Sequence, residues 1–238
     1  PLERRASPRS GRRMSIASTR CAPRSHRDIV EPTELPRVAF QGELGAYGDQ
    51  AIQQRWHGAA TSLPTVSFEQ VIAEVAHGTA DYGVVPVWNT IVGEVEAGCA
   101  AVRLGISAAH GLTVLGTAQV QVQHQLLALP GTLLEDIRVV ASHPVAIAQC
   151  ERFLRSQPQM LPEPVYDTAG AARDLARSGV TDSAAIAGKA AADRYGLSIL
   201  REDIQDIPDN VTRFLILGRN EDAAGATPRA GKDGVSRW

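Results

Sequence analysis

Three strand-to-helix turns in this chain carry residue types that suit an anion. The first, Gly42-Glu43-Leu44-Gly45-Ala46-Tyr47-Gly48, is glycine-rich and opens a helix. Glycines let backbone N–H groups approach a ligand closely. The second is Ser142-His143-Pro144. Proline at a first helical position marks a helix start, and the free N–H groups there favour a carboxylate. The third, Asp167-Thr168-Ala169-Gly170, offers Asp167 or Thr168 as a helix cap. Each turn also has a plainer reading, as backbone geometry or an ordinary cap. Further polar groups stand at strand ends and on a helix. Asn89 and Thr90 follow the short buried strand "YGVVPV", beside Trp88. Gln149 lies on the helix begun by Pro144, facing either a cleft or solvent. Thr212-Arg213 interrupts an apolar terminal strand, where threonine is also simply a good strand former. The six histidines show no metal spacing, and His57, His77 and His110 read as surface or loop residues. With no GxSxG, P-loop or GxGxxG, neither serine hydrolysis nor nucleotide binding has positive support.

These residues sit among short β-rich runs that alternate with helical patterns between Pro36 and Arg219. Strands are expected at 37–42, 82–87, 138–142, 164–168, 184–188, 197–203 and 212–219, with a long alternating run at 112–129. Helices are expected at 47–56, 68–78, 144–156, 169–179 and 189–196. Such alternation implies βαβ units and mostly parallel sheet. The reading is α/β, with two lobes around a central cleft. Lobe 1 is placed at about 37–111 plus 198–219 and lobe 2 at about 112–197. A ligand then sits near the carboxyl ends of the strands.

The chain has 238 residues, 44% apolar and 21% charged, which is an ordinary globular composition with room for one or two domains. Its net charge of -2 argues against a nucleic-acid partner. No apolar run is long enough to span a membrane, so no membrane partner is expected. Cys21, Cys99 and Cys150 lack CxxC pairing, which fits a reducing compartment and argues against a disulfide framework or a zinc site. Residues 1–36, rich in Arg, Ser and Pro, read as a disordered extension, with Met14 as an alternative start. The expected location is cytoplasmic, and the Arg/Ser enrichment leaves organellar import open. Residues 220–238 read as a flexible tail.

Taken in order, these segments resemble the prephenate dehydratase family. "VAFQGELGAYGDQA" resembles its opening strand and "GPxGSYS" turn, and "ADYGVVPVWNTIVGEV" its "ADYGVVPIENSxxGxV". "SHPVAIAQCERFL" is similar to "SHPQALAQCxxFL". "DTAGAA", "AAIAGKAAADRYGLSIL" and "IQDIPDNVTRFLILGR" follow, the last carrying the signature "NxTRF". The likeness covers about residues 37–219. It implies a two-lobed fold like the type II periplasmic binding proteins, with no metal and no organic cofactor. It implies that prephenate, a small dicarboxylate, is converted to phenylpyruvate with loss of water and carbon dioxide. The related alternatives are arogenate dehydration, non-aromatising decarboxylation and a non-catalytic binding protein. Carried over by position, Thr212 assists departure of the ring hydroxyl. Asn89, Thr90, Ser142 and Gln149 match active-site polar positions. Arg213, Phe214, Thr168, Ala169, Gly45, Ala46 and Trp88 are expected near the substrate. Where the family has a glutamate, Trp88 packs on the substrate ring, replaces a charged network with an apolar wall, or is only a packing change. The resemblance also leads us to expect a homo-oligomer without the family's regulatory ACT domain, because about nineteen residues follow Arg219.

Overall fold

The computed structural model describes residues 34–107 and 109–220. The expected extension and tail lie outside them, apart from their innermost residues. The first lobe begins with β1 (Arg37–Gln41), α1 (Tyr47–Trp56), β2 (Thr61–Thr65), α2 (Phe68–Ala76) and β3 (Tyr82–Asn89). A short β4 (Gly93–Glu94), α3 (Glu96–Gly105) and β5 (Leu112–Gln121) follow. The second lobe contains β6 (Gln125–Ala128), β7 (Val139–Ser142), α4 (Pro144–Gln149), α5 (Glu151–Arg155) and β8 (Leu161–Pro164). It continues through α6 (Thr168–Ser178), β9 (Ser183–Ala187), α7 (Lys189–Tyr195) and β10 (Ser198–Arg201). The chain then returns to the first lobe as β11 (Val211–Arg219).

The first sheet runs β2-β1-β3-β11-β5, with β4 folded onto β3, and the second runs β10-β6-β9-β7-β8. The α/β class and the two lobes are as expected. The sheets are mixed rather than mostly parallel: both returning strands, β11 and β10, pair antiparallel with their neighbours. The lobe boundaries also differ from the expected ones. β5 belongs to the first sheet, where its full length pairs with β11 from Leu112↔Arg219 to Gln121↔Val211. The run at 112–129 therefore breaks at 122–124 and crosses there. β10 stays in the second sheet, because Gly196 (φ 67) turns the chain back against β6.

Three apolar clusters hold this arrangement. One lies behind the first sheet, where Val71, Ile72 and Val75 of α2 meet Val85 and Val87 of β3 and Val102 of α3. One lies behind the second sheet around Leu126, Val140, Ile186 and Cys150. The third runs between the lobes, from Phe40, Ile52 and Ile216 to Ala172, Ala187 and Ala191. The helices α6 and α7 are rich in alanine there, which lets backbone elements from the two lobes approach closely. Gly45 (φ 90) shows how close: a Cβ on it would lie 2.9 Å from Ala191 Cα.

Candidate active site

A cavity of about 280 Å3 opens between the lobes. Val84, Pro86, Val92, Val95, Val122 and Phe214 give it an apolar wall. Asn89, His124, Gln149, Asn210 and Thr212 line its polar side.

The position of Asn89 depends on a defect in β3. Val84 and Pro86 face the cavity, so strict alternation would turn Trp88 inward and Asn89 outward. The pairing of β3 with β11 slips instead: Arg213 opposes Trp88, while Phe214 opposes Pro86. The extra residue is a β-bulge, a device that re-aims side chains beside functional sites. Past it, Asn89 faces the cavity directly opposite Thr212.

Hydrogen-bond polarity follows from one fixed end. The Ile91 and Val92 amides donate to Asn89 Oδ1 at 2.9 and 3.2 Å. The Asn89 amide nitrogen must therefore donate to Thr212 Oγ1 at 2.9 Å and to Asn210 Oδ1 at 2.7 Å. Thr212 accepts here, so its own proton remains available to the cavity. Asn210 in turn donates to Gln149 Oε1 at 3.3 Å. His124 Nε2 lies 2.8 Å from the same oxygen, so this nitrogen carries the proton. Tyr47 Oη sits 3.0 Å from His124 Nδ1 and 2.8 Å from the Gln123 carbonyl. The amide nitrogen of Gln149 is thereby turned toward the cavity. The residues come from both lobes and from the two crossings, 122–124 and 202–210.

His124 is 2% exposed and holds Gln149 from behind. Burial pushes its pKa below the ordinary 6.5, and the bond to Gln149 opposes this. Its unfolded form therefore takes a proton first. The stability it contributes is full above pH 6.5 and falls as pH drops below that value. His124→Leu is expected to lower kcat about ten- to a hundredfold by freeing Gln149. His124→Gln restores an N–H donor, so it is expected to recover most of that rate and to lose the acid-side decline in thermal midpoint. Equal kcat in the two variants would show that the bond to Gln149 does not matter.

Several expected site residues have other placements. Arg213 and Trp88 share the outer face of the sheet, with the guanidinium carbon 5.6 Å from the indole centroid, and Trp88 packs on the cluster behind it. The bulge is the reason. Thr90 is exposed, accepting from Val211 N at 2.7 Å and donating to the Asp209 carbonyl at 3.1 Å. It anchors the crossing that carries Asn210. Ser142 is fully buried and donates to the Ile186 carbonyl at 2.6 Å, tying β7 to β9. Ala169 is a core residue, and Gly45 serves the close approach to α7. Ala46, Thr168, Phe214, Gln149, Asn89 and Thr212 line the cavity.

Of the three turns, the first leaves the most donors open. Ala46 is the N-cap of α1 and makes no side-chain cap bond, and Tyr47 and Gly48 beside it line the cavity. At the second, His143 Nδ1 accepts from Val145 N at 3.2 Å. At the third, Asp167 Oδ1 accepts from Gly170 N at 2.7 Å, making Asp167 the cap.

His124 and Asn210 were not singled out by sequence. His124 opens the buried run "HQLLAL", where a polar residue at a strand's start is a usable signal. Asn210 is the first letter of "NxTRF".

The family model for prephenate dehydratase matches residues 38–222. Arogenate dehydratase/prephenate dehydratase 2 of Arabidopsis thaliana is 39% identical over 183 residues, 77% of this chain and 46% of its own length. The solved prephenate dehydratase of Arthrobacter aurescens, bound to L-Phe, is 31% identical with a TM-score of 0.70, over 82% of this chain and 62% of that one. GqqA, described as a novel type of quorum-quenching acylase, is 36% identical with a TM-score of 0.69, over 77% of this chain and 64% of that one. The chain thus spans about half the length of the curated relatives it matches. The family match runs through both lobes and both crossings that build the cavity, and on that ground the chain belongs to the prephenate dehydratase family.

Proposed function

We propose that this chain dehydrates and decarboxylates prephenate to phenylpyruvate, a step that serves phenylalanine biosynthesis. The ring carboxylate leaves as carbon dioxide, and its C–C electron pair enters the ring. The C–O bond to the ring hydroxyl breaks with its electron pair, and one proton completes water. The ring becomes aromatic, which supplies much of the driving force. The enzyme's task is therefore to orient the ring and to stabilise the departing oxygen.

The observation that carries the reading is the Asn89–Thr212 pair. Backbone amides fix Asn89, Asn89 donates to Thr212, and Thr212 keeps its proton for the leaving hydroxyl. The apolar wall fits the ring, and the uncapped first turn of α1 suits a carboxylate. The acylase relative suggests hydrolysis as a second reading. That chemistry needs a nucleophile beside a base. Here His124 is engaged by Tyr47 and Gln149, and His143 Nδ1 by the Val145 amide, which favours dehydration.

The test is purified protein with prephenate, followed by ultraviolet absorbance and product mass. Phenylpyruvate supports the proposal. A non-aromatic keto acid, or no turnover, sinks it. Trp88→Glu and Trp88→Phe are expected to yield the same product as the parent chain, because position 88 faces away from the cavity. A product shift in the Glu variant alone would return that position to the chemistry.

A further inference from the structure

We propose that Asp167 makes this cavity a site for arogenate as well as prephenate, by holding the substrate ammonium, and that it sets the balance between the two. This rests on the dehydratase reading and names a residue that decides substrate choice. Arogenate differs from prephenate in one group: an amine replaces the side-chain keto oxygen. A residue that distinguishes them must therefore read positive charge at that carbon.

Among the described residues that line the cavity, Asp167 is the one carboxylate, and none is Arg or Lys. Its Oδ1 is fixed by the Gly170 amide at 2.7 Å, so the carboxylate has a set direction. Its Oδ2 looks onto Gly42. A Cβ built there would lie 3.2 Å from Asp167 Oδ2 and 3.6 Å from Ala46 Cβ. The acid and the open first turn of α1 thus flank one small gap, one from each lobe. An α-amino acid head group carries a carboxylate and an ammonium on a single carbon. The amides at Tyr47 and Gly48 suit the first and Asp167 the second.

Among the described residues no cationic side chain forms an ion pair with Asp167. Arg173 is bound by Glu43, Asp174 and Tyr166. His143 Nδ1 accepts from the Val145 amide at 3.2 Å, and the ring is the last and smallest of the influences on Asp167, acting to lower its pKa. Burial is the largest influence on the Asp167 carboxyl and raises its pKa, and the charge of Glu43 acts the same way. The Gly170 and Ala169 amides and His143 act against them, but the net direction is upward, so an added cation would relieve it. A keto acid brings no cation, and its carbonyl oxygen would face the carboxylate instead.

The test compares kcat/KM for L-arogenate and prephenate in the full chain and in Asp167→Asn. Asparagine caps helices as well as aspartate does, so the fold keeps its α6 start and the thermal midpoint serves as a control. The arogenate value is expected to fall about ten- to a hundredfold, chiefly through KM, as a charge-assisted bond is lost. The prephenate value is expected to rise, because a negative charge facing a dianion is removed. Asp167→Ser, an uncharged cap of another shape, must move the ratio in the same direction. An unchanged ratio, or a parallel fall for both substrates, overturns the proposal and leaves Asp167 as a cap. Turnover of prephenate but not arogenate by the parent chain overturns it while the dehydratase reading stands. Turnover of neither substrate overturns both.

Discussion

Thr212→Val is expected to lower kcat for prephenate about 10²–10³-fold, with KM and thermal midpoint nearly unchanged. Valine keeps the branched shape that suits β11 and removes only the hydroxyl. In the parent chain this hydroxyl accepts from Asn89 at 2.9 Å and has its proton left for the cavity. A donor aimed at the leaving oxygen acts only as the C–O bond breaks, so its loss should appear in kcat rather than in binding. Asn89 would also lose an acceptor, but Asn210 Oδ1 at 2.7 Å still takes its amide proton, which limits structural damage. Steady-state kinetics and a melting curve check this. Turnover near the parent rate in a folded variant would remove Thr212 from the chemistry.

Gly98→Ala is expected to destabilise the fold by about 3 kcal/mol or more, through one added methyl group. Gly98 faces β3 from α3, and a Cβ there would fall 1.8 Å from the Pro86 carbonyl oxygen. The obstacle is backbone, so no rotamer change relieves it. The helix must lift from the strand exactly where the bulge turns Asn89 inward, and the contacts from Val95 N and Cys99 Sγ to the Val87 carbonyl, at 3.0 and 3.4 Å, lengthen with it. For a chain of this size the thermal midpoint should drop roughly 6–12 °C. Activity should fall further than the folded fraction, because the bulge itself is disturbed. A midpoint within a degree or two of the parent would show that α3 can shift at little cost.

What the sequence disclosed followed the local rules. α1 is legible from its helical spacing and α2 from its apolar stripe, with Ser67 as cap, and the alternation of strands and helices is enough for two α/β lobes. α3 was hidden because Gly98 and Gly105, needed for close packing, weaken its helical pattern. β2 was hidden because it is a polar edge strand containing Pro64. The expected helix at 144–156 breaks at Cys150 (φ -116), a tertiary effect with no proline or glycine to announce it. In the site, residue type and position single out Asn89, Gln149 and Thr212 but leave a plainer reading open for Gln149 and Thr212; the fold brings all three to one cavity. Of the three readings open for Trp88, its place on the outer face fits the packing change, and the sequence could not choose because a bulge carries no signature in residue type. His124 was passed over because a buried histidine among glutamines looks like one more polar alternation. Thr90 and Ser142 were expected at the substrate, yet their hydroxyls are used on backbone groups that only the folded chain brings near.

The central place of β11 has a consequence for how the molecule is made. This strand lies between β3 and β5, yet it leaves the ribosome after every other strand described here. Until it arrives, the nascent first lobe has two unpaired edges facing each other, both apolar on at least one side. The second lobe, contiguous in sequence from β6 to β10, can complete its pairing earlier. The pairing of the second sheet thus needs no part of β11, whereas the first sheet cannot close without it. Since Thr212 rides on that strand, a chain stopped before 211 lacks the central pairing of the first sheet and the hydroxyl together. Such fragments present open strand edges, which are the features that chaperones and proteases recognise.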